Sequence, residues 1–235
     1  MAIPKPLRPE YSCTLASSGK RVKFHPFTVR EEKVLTLAAE SQDLEEISNA
    51  IANVLRSCVT TPADFDPYKL GLFDIEFLFL KARAKSIGET IELRVTDPND
   101  ETYSVDYELD VDKVKLEKTE GHTQLVDISD EVKIKMNYPG LEFFAEGLKI
   151  DDLAESIKTV ARCVGQIVVG EEVYNRADMS DEEIVEWLES LNQQQFVKLI
   201  SFFQTMPRLR HVIKQRNPKT KETFEVVLEG LTDFF

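Results

Sequence analysis

The stretch that most constrains this 235-residue chain is Phe73-Asp74-Ile75-Glu76-Phe77-Leu78-Phe79-Leu80, which continues through Lys81-Ala82-Arg83-Ala84-Lys85 to Gly88. It is apolar nearly all round, so it belongs inside, surrounded by hydrophobic surface. The Ala and Lys content of its second half favours helix, and Gly88 suits a left-handed C-terminal cap. The segment is expected to be the central core helix; a buried strand is the competing reading of its first half.

Elements with weaker signals flank it. Prolines at 4, 6 and 9 mark a short extended arm, and Tyr11 to Leu15 and Arg21 to Phe24 flank a Ser17-Ser18-Gly19-Lys20 turn, predicting a small hairpin. Thr28 with Glu31 fits a capping box, followed by Val34, Leu35, Leu37 and Ala38; a second helix over Asp43 to Cys58 repeats Ile47, Ala50, Ile51, Val54 and Leu55 at helical spacing. These two helices predict a helical hairpin.

From Thr90 the period changes to two. Ile91, Leu93 and Val95 alternate with polar residues up to Asp97-Pro98-Asn99-Asp100, and Tyr103, Val105, Tyr107, Leu109 and Val111 alternate on the return, which predicts a half-buried antiparallel hairpin with an acidic solvent face. A strand follows at Glu131 to Asn137. Capping pairs Asp152/Glu155 and Ser180/Glu183 open two further helices, with a short hairpin around Gly170-Glu171 between them, and a helix spans Gln193 to Thr205. The last hairpin joins Leu209 to Arg216 and Glu222 to Leu228. Helices and hairpins are grouped instead of alternating, so the class is α+β: helical N- and C-terminal portions around a β-rich middle. The expected portions are residues 1–88, an acidic β-rich subdomain over 89–138, and 139–235.

Charge is unevenly spread. The chain holds 42 acidic and 29 basic residues, a net −13. Asp97 to Glu131 alone contains 12 acidic and 3 basic residues, whereas Met206 to Lys221 contains 6 basic and no acidic ones. The net charge argues against generic binding to DNA or anionic lipid, because a polyanion is repelled unless a basic patch is strongly localised. No apolar run is long enough for a membrane span, Met1 to Glu10 lacks an apolar signal core, and Cys13, Cys58 and Cys163 are too few and too scattered for a disulfide framework. A soluble, unexported protein of a reducing compartment is expected.

Enzyme signatures are missing from the pattern. The nine glycines form no phosphate-cradling or dinucleotide loop, no G-x-S-x-G elbow occurs, and His25, His122 and His211 lack metal-ligand spacing. Asp106, Glu108, Asp110 and Asp112 would share one strand face about 6.7 Å apart, but a solvated face is the better reading because no loop glycine arranges them around an ion. No enzyme activity, cofactor or metal is expected. The remaining candidates are contact residues: Arg208, Arg210, Lys214, Arg216, Lys219 and Lys221 on the last hairpin, and the terminal pair Phe234 and Phe235. A β-ribbon can read nucleic acid, yet no aromatic residue interleaves with these cations, so an acidic protein surface suits them better. Trp187, Phe196 and Phe203 read as core, and the terminal phenylalanines as docked either on a neighbour or on the chain's own core.

Several strings carry a resemblance. They are Lys23-Phe24-His25-Pro26-Phe27-Thr28-Val29-Arg30-Glu31-Glu32-Lys33, Ala38-Ala39-Glu40-Ser41, Phe77 to Lys81 leading to Arg83-Ala84-Lys85-Ser86-Ile87-Gly88-Glu89, and Tyr138-Pro139. On these the chain resembles the baseplate hub protein family of T-even-type contractile-tailed bacteriophages, from about residue 20 to the last hairpin. The resemblance implies a hub subunit or hub assembly factor, found in the tail baseplate or in the host cytoplasm during assembly. Its partners would be other baseplate or tail proteins and possibly copies of itself, without membrane and with nucleic acid disfavoured; the arm at residues 1 to 24 and the last hairpin would make the contacts. It also implies that relatives can carry a zinc-knuckle-like set of cysteines in the β-rich middle. Asp97-Pro98-Asn99-Asp100 stands at that tip here, so no zinc is carried over and the hairpin is expected to be held by packing alone.

Overall fold

The computed structural model describes residues 7–234. Among them are seven helices and twelve strands, all strand pairings antiparallel, so the class is α+β. In chain order, the first elements are β1 (Tyr11–Thr14), β2 (Arg21–Phe24), α1 (Val29–Ser41), α2 (Leu44–Cys58), β3 (Val59–Thr61) and α3 (Leu72–Ile87). The middle holds β4 (Thr90–Asp97), β5 (Asp100–Asp110), β6 (Lys115–Glu117), β7 (Leu125–Asp127) and β8 (Val132–Met136). The rest comprises α4 (Phe143–Glu146), α5 (Leu153–Cys163), β9 (Val164–Val169), β10 (Glu172–Asn175), α6 (Asp181–Glu189), α7 (Gln193–Thr205), β11 (Arg208–Arg216) and β12 (Thr223–Glu229).

These elements form two compact units. One contains the described residues up to 69, residues 73–117 and those from 208 onwards; the other contains residues 70–72 and 118–207. The segment 89–138 is thus divided, with β4, β5 and β6 in the first unit and β7 and β8 in the second.

In the first unit α3 is the buried helix that its composition predicts: Phe73, Ile75, Leu78, Phe79, Leu80, Ala82 and Ala84 are all buried. Two carboxylates are buried with them, Asp74 at 0% exposure and Glu76 at 8%. A buried carboxylate is costly unless it is satisfied, and both are. Asp74 accepts the backbone N–H of Ala16 at 2.7 Å and of Ser17 at 3.2 Å, together with the Ser17 hydroxyl, so it holds the turn of the β1–β2 hairpin. Glu76 accepts the backbone N–H of Leu231 at 3.0 Å, just beyond β12. Burial outweighs these bonds and raises both carboxyls; that of Glu76 is pushed up to about 7, with Glu229 and Asp233 nearby adding to the effect.

Around α3 lie a β1-β2-β3 sheet, the β4–β5 pair and a β12-β11-β6 sheet. Strand β3 is three residues long, too short for a periodic signal. Contrary to the expectation of packing alone, the β4–β5 tip is held by hydrogen bonds. Asn217, which is 0% exposed in the loop of the β11–β12 hairpin, donates from Nδ2 to Asp97 Oδ2 at 2.9 Å and to Asp100 Oδ2 at 3.1 Å. Its Oδ1 accepts the backbone N–H of Lys219 at 2.9 Å, so the amide is satisfied at both ends.

Helix α1 departs from the reading of its apolar residues. Its N-terminus is closed as predicted, the Glu31 carboxylate accepting the Thr28 N–H at 2.8 Å, and it packs on α2. Yet it buries no side chain, whereas α2 buries Ile51, Val54, Leu55 and Cys58.

The second unit is a β10-β9-β8-β7 sheet packed against helices. Its core joins Ile134, Met136 and Ile167 from the strands to Val160 of α5, Ile184 and Leu188 of α6, and Leu199, Phe202 and Phe203 of α7. Trp187 and Phe196 pack partly buried against this core. Ser180 caps α6 as the sequence predicts, its hydroxyl accepting the Glu183 N–H at 3.2 Å while the Glu183 carboxylate accepts the Ser180 N–H at 2.7 Å.

Two outcomes are expected. Asn217→Ala removes the donor from the buried Asp97 Oδ2, leaving that carboxylate only the Asn99 N–H on Oδ1, and lowers stability by about 2 kcal/mol, with faster amide exchange across residues 97–102; unchanged exchange there would contradict the pinning. For Glu76, an unfolded-state value of 4.5 rising to about 7 on folding means its contribution is complete below pH 4.5 and is lost as the pH rises through 7. Glu76→Gln keeps an acceptor for Leu231 without the charge, and should be more stable than the parent by about 3 kcal/mol at pH 9 in urea unfolding. Equal pH dependence of the two proteins would refute this.

Candidate interaction surface

The cations of the last hairpin sit on β11 and its loop, and strand register decides what they meet. Lys214 lies directly opposite Glu225, and their side chains pair at 2.7 Å. Arg208 pairs with Glu229 at 3.2 Å, and Arg210 reaches across to Glu117 of β6 at 2.9 Å, an interaction that holds its guanidinium above the ordinary arginine range. Arg216 donates from Nε to the Lys221 carbonyl at 3.1 Å. Lys219 and Lys221 are exposed in the loop and form no ion pair with a carboxylate among the described residues. Half of the dense positive run, Arg208, Arg210 and Lys214, is therefore neutralised by its neighbours. Glu117, Glu225 and Glu229 were missed as partners because pairing depends on the loop length, and a slip of one residue would turn each side chain to the other face.

The terminal aromatics behave differently from one another. Phe234 is 0% exposed, in a 3-10 turn over Leu231–Phe234, and so belongs to the interior of its own unit. Phe235 lies outside the described residues, as do residues 1–6 of the arm. Of the rest of the arm, Leu7 is exposed, whereas Glu10 is tied to Lys23 at 2.9 Å and to the Thr60 hydroxyl at 2.7 Å.

The acidic strand face does not assemble into a site. Asp106 and Glu108 are exposed on β5, Asp110 caps the turn that follows by accepting the Asp112 N–H at 2.9 Å, and Asp112 pairs with Lys81 of α3 at 3.0 Å. That lysine holds the Asp112 carboxyl below its usual range. Among the described residues no group of three His, Cys, Asp or Glu side chains is placed to hold a metal ion.

The histidines are likewise separate. His25 bonds to the Pro26 carbonyl, and the partial burial of His211, with Lys113 nearby, lowers its pKa. His122 lies between the Thr205 hydroxyl at 2.9 Å and the Tyr138 hydroxyl at 3.1 Å, its ring against Phe202. Because Thr205 donates to the Ser201 carbonyl at 2.8 Å, it accepts from His122 Nδ1–H, which leaves Nε2 to accept from Tyr138. Desolvation, with Lys118 nearby, lowers the pKa of this ring and favours the neutral form that the geometry needs. Cys58 and Cys163 are buried thiols pushed up to about 11 and about 12, so both are protonated core residues.

The comparisons with known proteins fit an arrangement of structural ties. The family model described as T4 bacteriophage base plate protein matches residues 8–235. The chain belongs to this family, which places it in the phage baseplate in a structural or assembly role, with other tail or baseplate proteins as partners. No curated protein and no solved structure matches it. Among the described residues no helix is long and apolar enough to cross a membrane.

Because Arg208, Arg210 and Lys214 are paired at the surface, each exposed pair contributes little. Lys214→Ala is expected to change stability by no more than about 1 kcal/mol. The intact protein should show no measurable binding to duplex or single-stranded DNA in a mobility-shift assay at physiological salt. Salt-sensitive binding that weakens on Lys214→Ala would overturn the neutralised-hairpin picture.

Proposed function

We propose that the protein works at the baseplate hub, as a hub subunit or a hub assembly factor, and that it acts through protein contacts instead of catalysis. The observation that carries this reading is the employment of its buried polar groups. Asp74, Glu76, Asp97 and Asn217 all hold one segment of backbone or loop against another. Perturbed groups gathered in one cleft would point to chemistry; here they are dispersed through the fold as ties. What remains outward is charge and apolar side chain, the material of docking.

The contacts proposed for the last hairpin narrow to its loop, where Lys219 and Lys221 are exposed and unpaired with acids. Deleting the hairpin would remove Asn217 and the strands that hold Phe234, so charge reversal of the two lysines is the cleaner probe of binding. A resident subunit and a transient assembly factor differ in particle composition. Quantitative proteomics should find the protein at fixed stoichiometry in purified particles if it is resident. It should be found in tail precursors and missing from mature particles if it is an assembly chaperone. Absence from both would refute the hub reading.

A further inference from the structure

The sheet of the second unit ends at β7, and one side of that strand is open. The Gln124 carbonyl accepts the Met136 N–H at 2.7 Å, and Ile128 donates its N–H to the Val132 carbonyl at 2.9 Å, so residues 124, 126 and 128 turn towards β8. Backbone groups alternate along an antiparallel strand, and those of Leu125 and Asp127 therefore point away from the sheet. Two of these four groups are used: the Leu125 N–H donates to the Thr123 hydroxyl at 3.2 Å, and the Asp127 carbonyl accepts Lys198 Nζ at 3.1 Å. The Leu125 C=O and the Asp127 N–H have no protein partner among the described residues.

A cleft of about 360 Å³ lies along this edge, with Leu125, Val126 and Asp127 on one wall and Lys198, Ser201 and Thr205 of α7 on the other. The helix sets its length: Lys198 and Thr205 are about 10 Å apart at about 1.5 Å per residue, the span of about three residues of extended chain at about 3.3 Å each. The groups at the Thr205 end are already employed. His122 is held by Thr205 and Tyr138, and Ser201 donates to the Val197 carbonyl at 2.9 Å, so no nucleophile and base meet there. Lys118 and Glu120 are exposed near that end and give it charges of both signs. At the other end Lys198, the one charged residue of α7, also donates to the Ile128 carbonyl at 3.0 Å. No carboxylate pairs with it among the described residues: Asp127 is drawn to Lys133 at 3.0 Å, and Asp130 and Glu131 of the following turn form no ion pair.

Two open backbone groups and one cation define the occupant. In a parallel pair, a single residue donates to the C=O of residue i−1 of its neighbour and accepts from the N–H of residue i+1, and these are the groups that Leu125 and Asp127 leave. The next rung would need the Asp127 carbonyl, which Lys198 holds, so a strand added in this direction stops there and meets an ammonium. A carboxyl terminus is a chain end that suits both conditions, whereas an antiparallel strand would bring its amino-terminal side to Lys198. We propose that the cleft between β7 and α7 binds the carboxyl-terminal residues of a partner protein, added as a short strand parallel to β7 with the terminal carboxylate on Lys198. This rests on the baseplate reading for the identity of the partner, and on the cleft alone for its chemistry.

The test is a titration of the full ¹⁵N-labelled chain with acetyl-Thr-Val-Thr-Val as the free acid, beside the same peptide closed as an amide. The acid is expected to shift amides of residues 123–128 and 198–205, that of Asp127 most of all. It should bind about tenfold more tightly than the amide, which lacks the charge-assisted contact. Asp127→Pro deletes the donor on the open edge and touches no bond to β8, so it should weaken the acid about tenfold with Tm little changed. Lys198→Met should lower the affinity of the acid to that of the amide; because Lys198 also holds two carbonyls, the comparison of acid with amide on the parent chain decides the matter whether or not that variant folds. Equal binding of acid and amide, shifts centred elsewhere, indifference to Asp127→Pro, or no shifts at millimolar peptide would overturn the proposal. Particle proteomics reads the baseplate assignment separately: a protein present in particles that binds neither peptide loses this site and keeps its place in the baseplate.

Discussion

The fold depends on two carboxylates buried on one helix. Asp74 and Glu76 lie on α3 among phenylalanines and leucines, where an unsatisfied charge would cost several kcal/mol, on the order of the whole stability of a domain. Each is tolerated because distant backbone comes to it: the turn after β1 meets Asp74, and the peptide following β12 meets Glu76. The same bonds that satisfy the acids fix the N-terminal hairpin and the C-terminal turn on the central helix. The two differ in kind. Asp74 has three donors in reach, whereas Glu76 has one backbone donor, so its burial, with Glu229 and Asp233 nearby adding to it, raises its carboxyl far above the usual range.

A second tie repeats the logic with a neutral group. Asn217 stands between Asp97 and Asp100, and its amide nitrogen donates a hydrogen bond to each of them while its own oxygen accepts one from the Lys219 N–H of the loop. At the β4–β5 tip this chain joins two hairpins by one side chain. Charge segregation along the sequence is resolved in a similar way. The basic run on β11 folds against acids on β12 and β6, so that a stretch which looks like a cationic ribbon becomes a mixed-charge sheet surface.

With its buried polar groups used internally and half of its densest cationic run paired, the protein presents outward charge and scattered apolar side chains. That is consistent with a baseplate component, whose work is to hold neighbours in register, since complementary charge and apolar patches fix orientation more than they add affinity. The acidic excess of the chain contributes here: self-repulsion disfavours unselective clustering and leaves association to surfaces where apolar area and opposite charge coincide.

Much of the secondary structure was legible in the sequence. The Thr28/Glu31 and Ser180/Glu183 boxes, the alternation on β4 and β5 and the apolar run of α3 are signals that act over a few residues, and local periodicity reports them directly. The three-residue strands carried too little pattern to be seen. The candidate contacts were legible only in part, because Arg210 with Glu117 and Lys214 with Glu225 are meetings set by register and loop closure. By itself the sequence determined that the run from Phe73 towards Gly88 must be interior, that hairpins and helices are grouped, and that charge is uneven. Only the tertiary structure decided that Asp74, Glu76 and Asn217 are the ties, that Phe234 lies inside, and that Val34 and Leu37 stay outside. Burial and pairing are properties of neighbours brought together across the chain, and residue order alone does not say which neighbours those are.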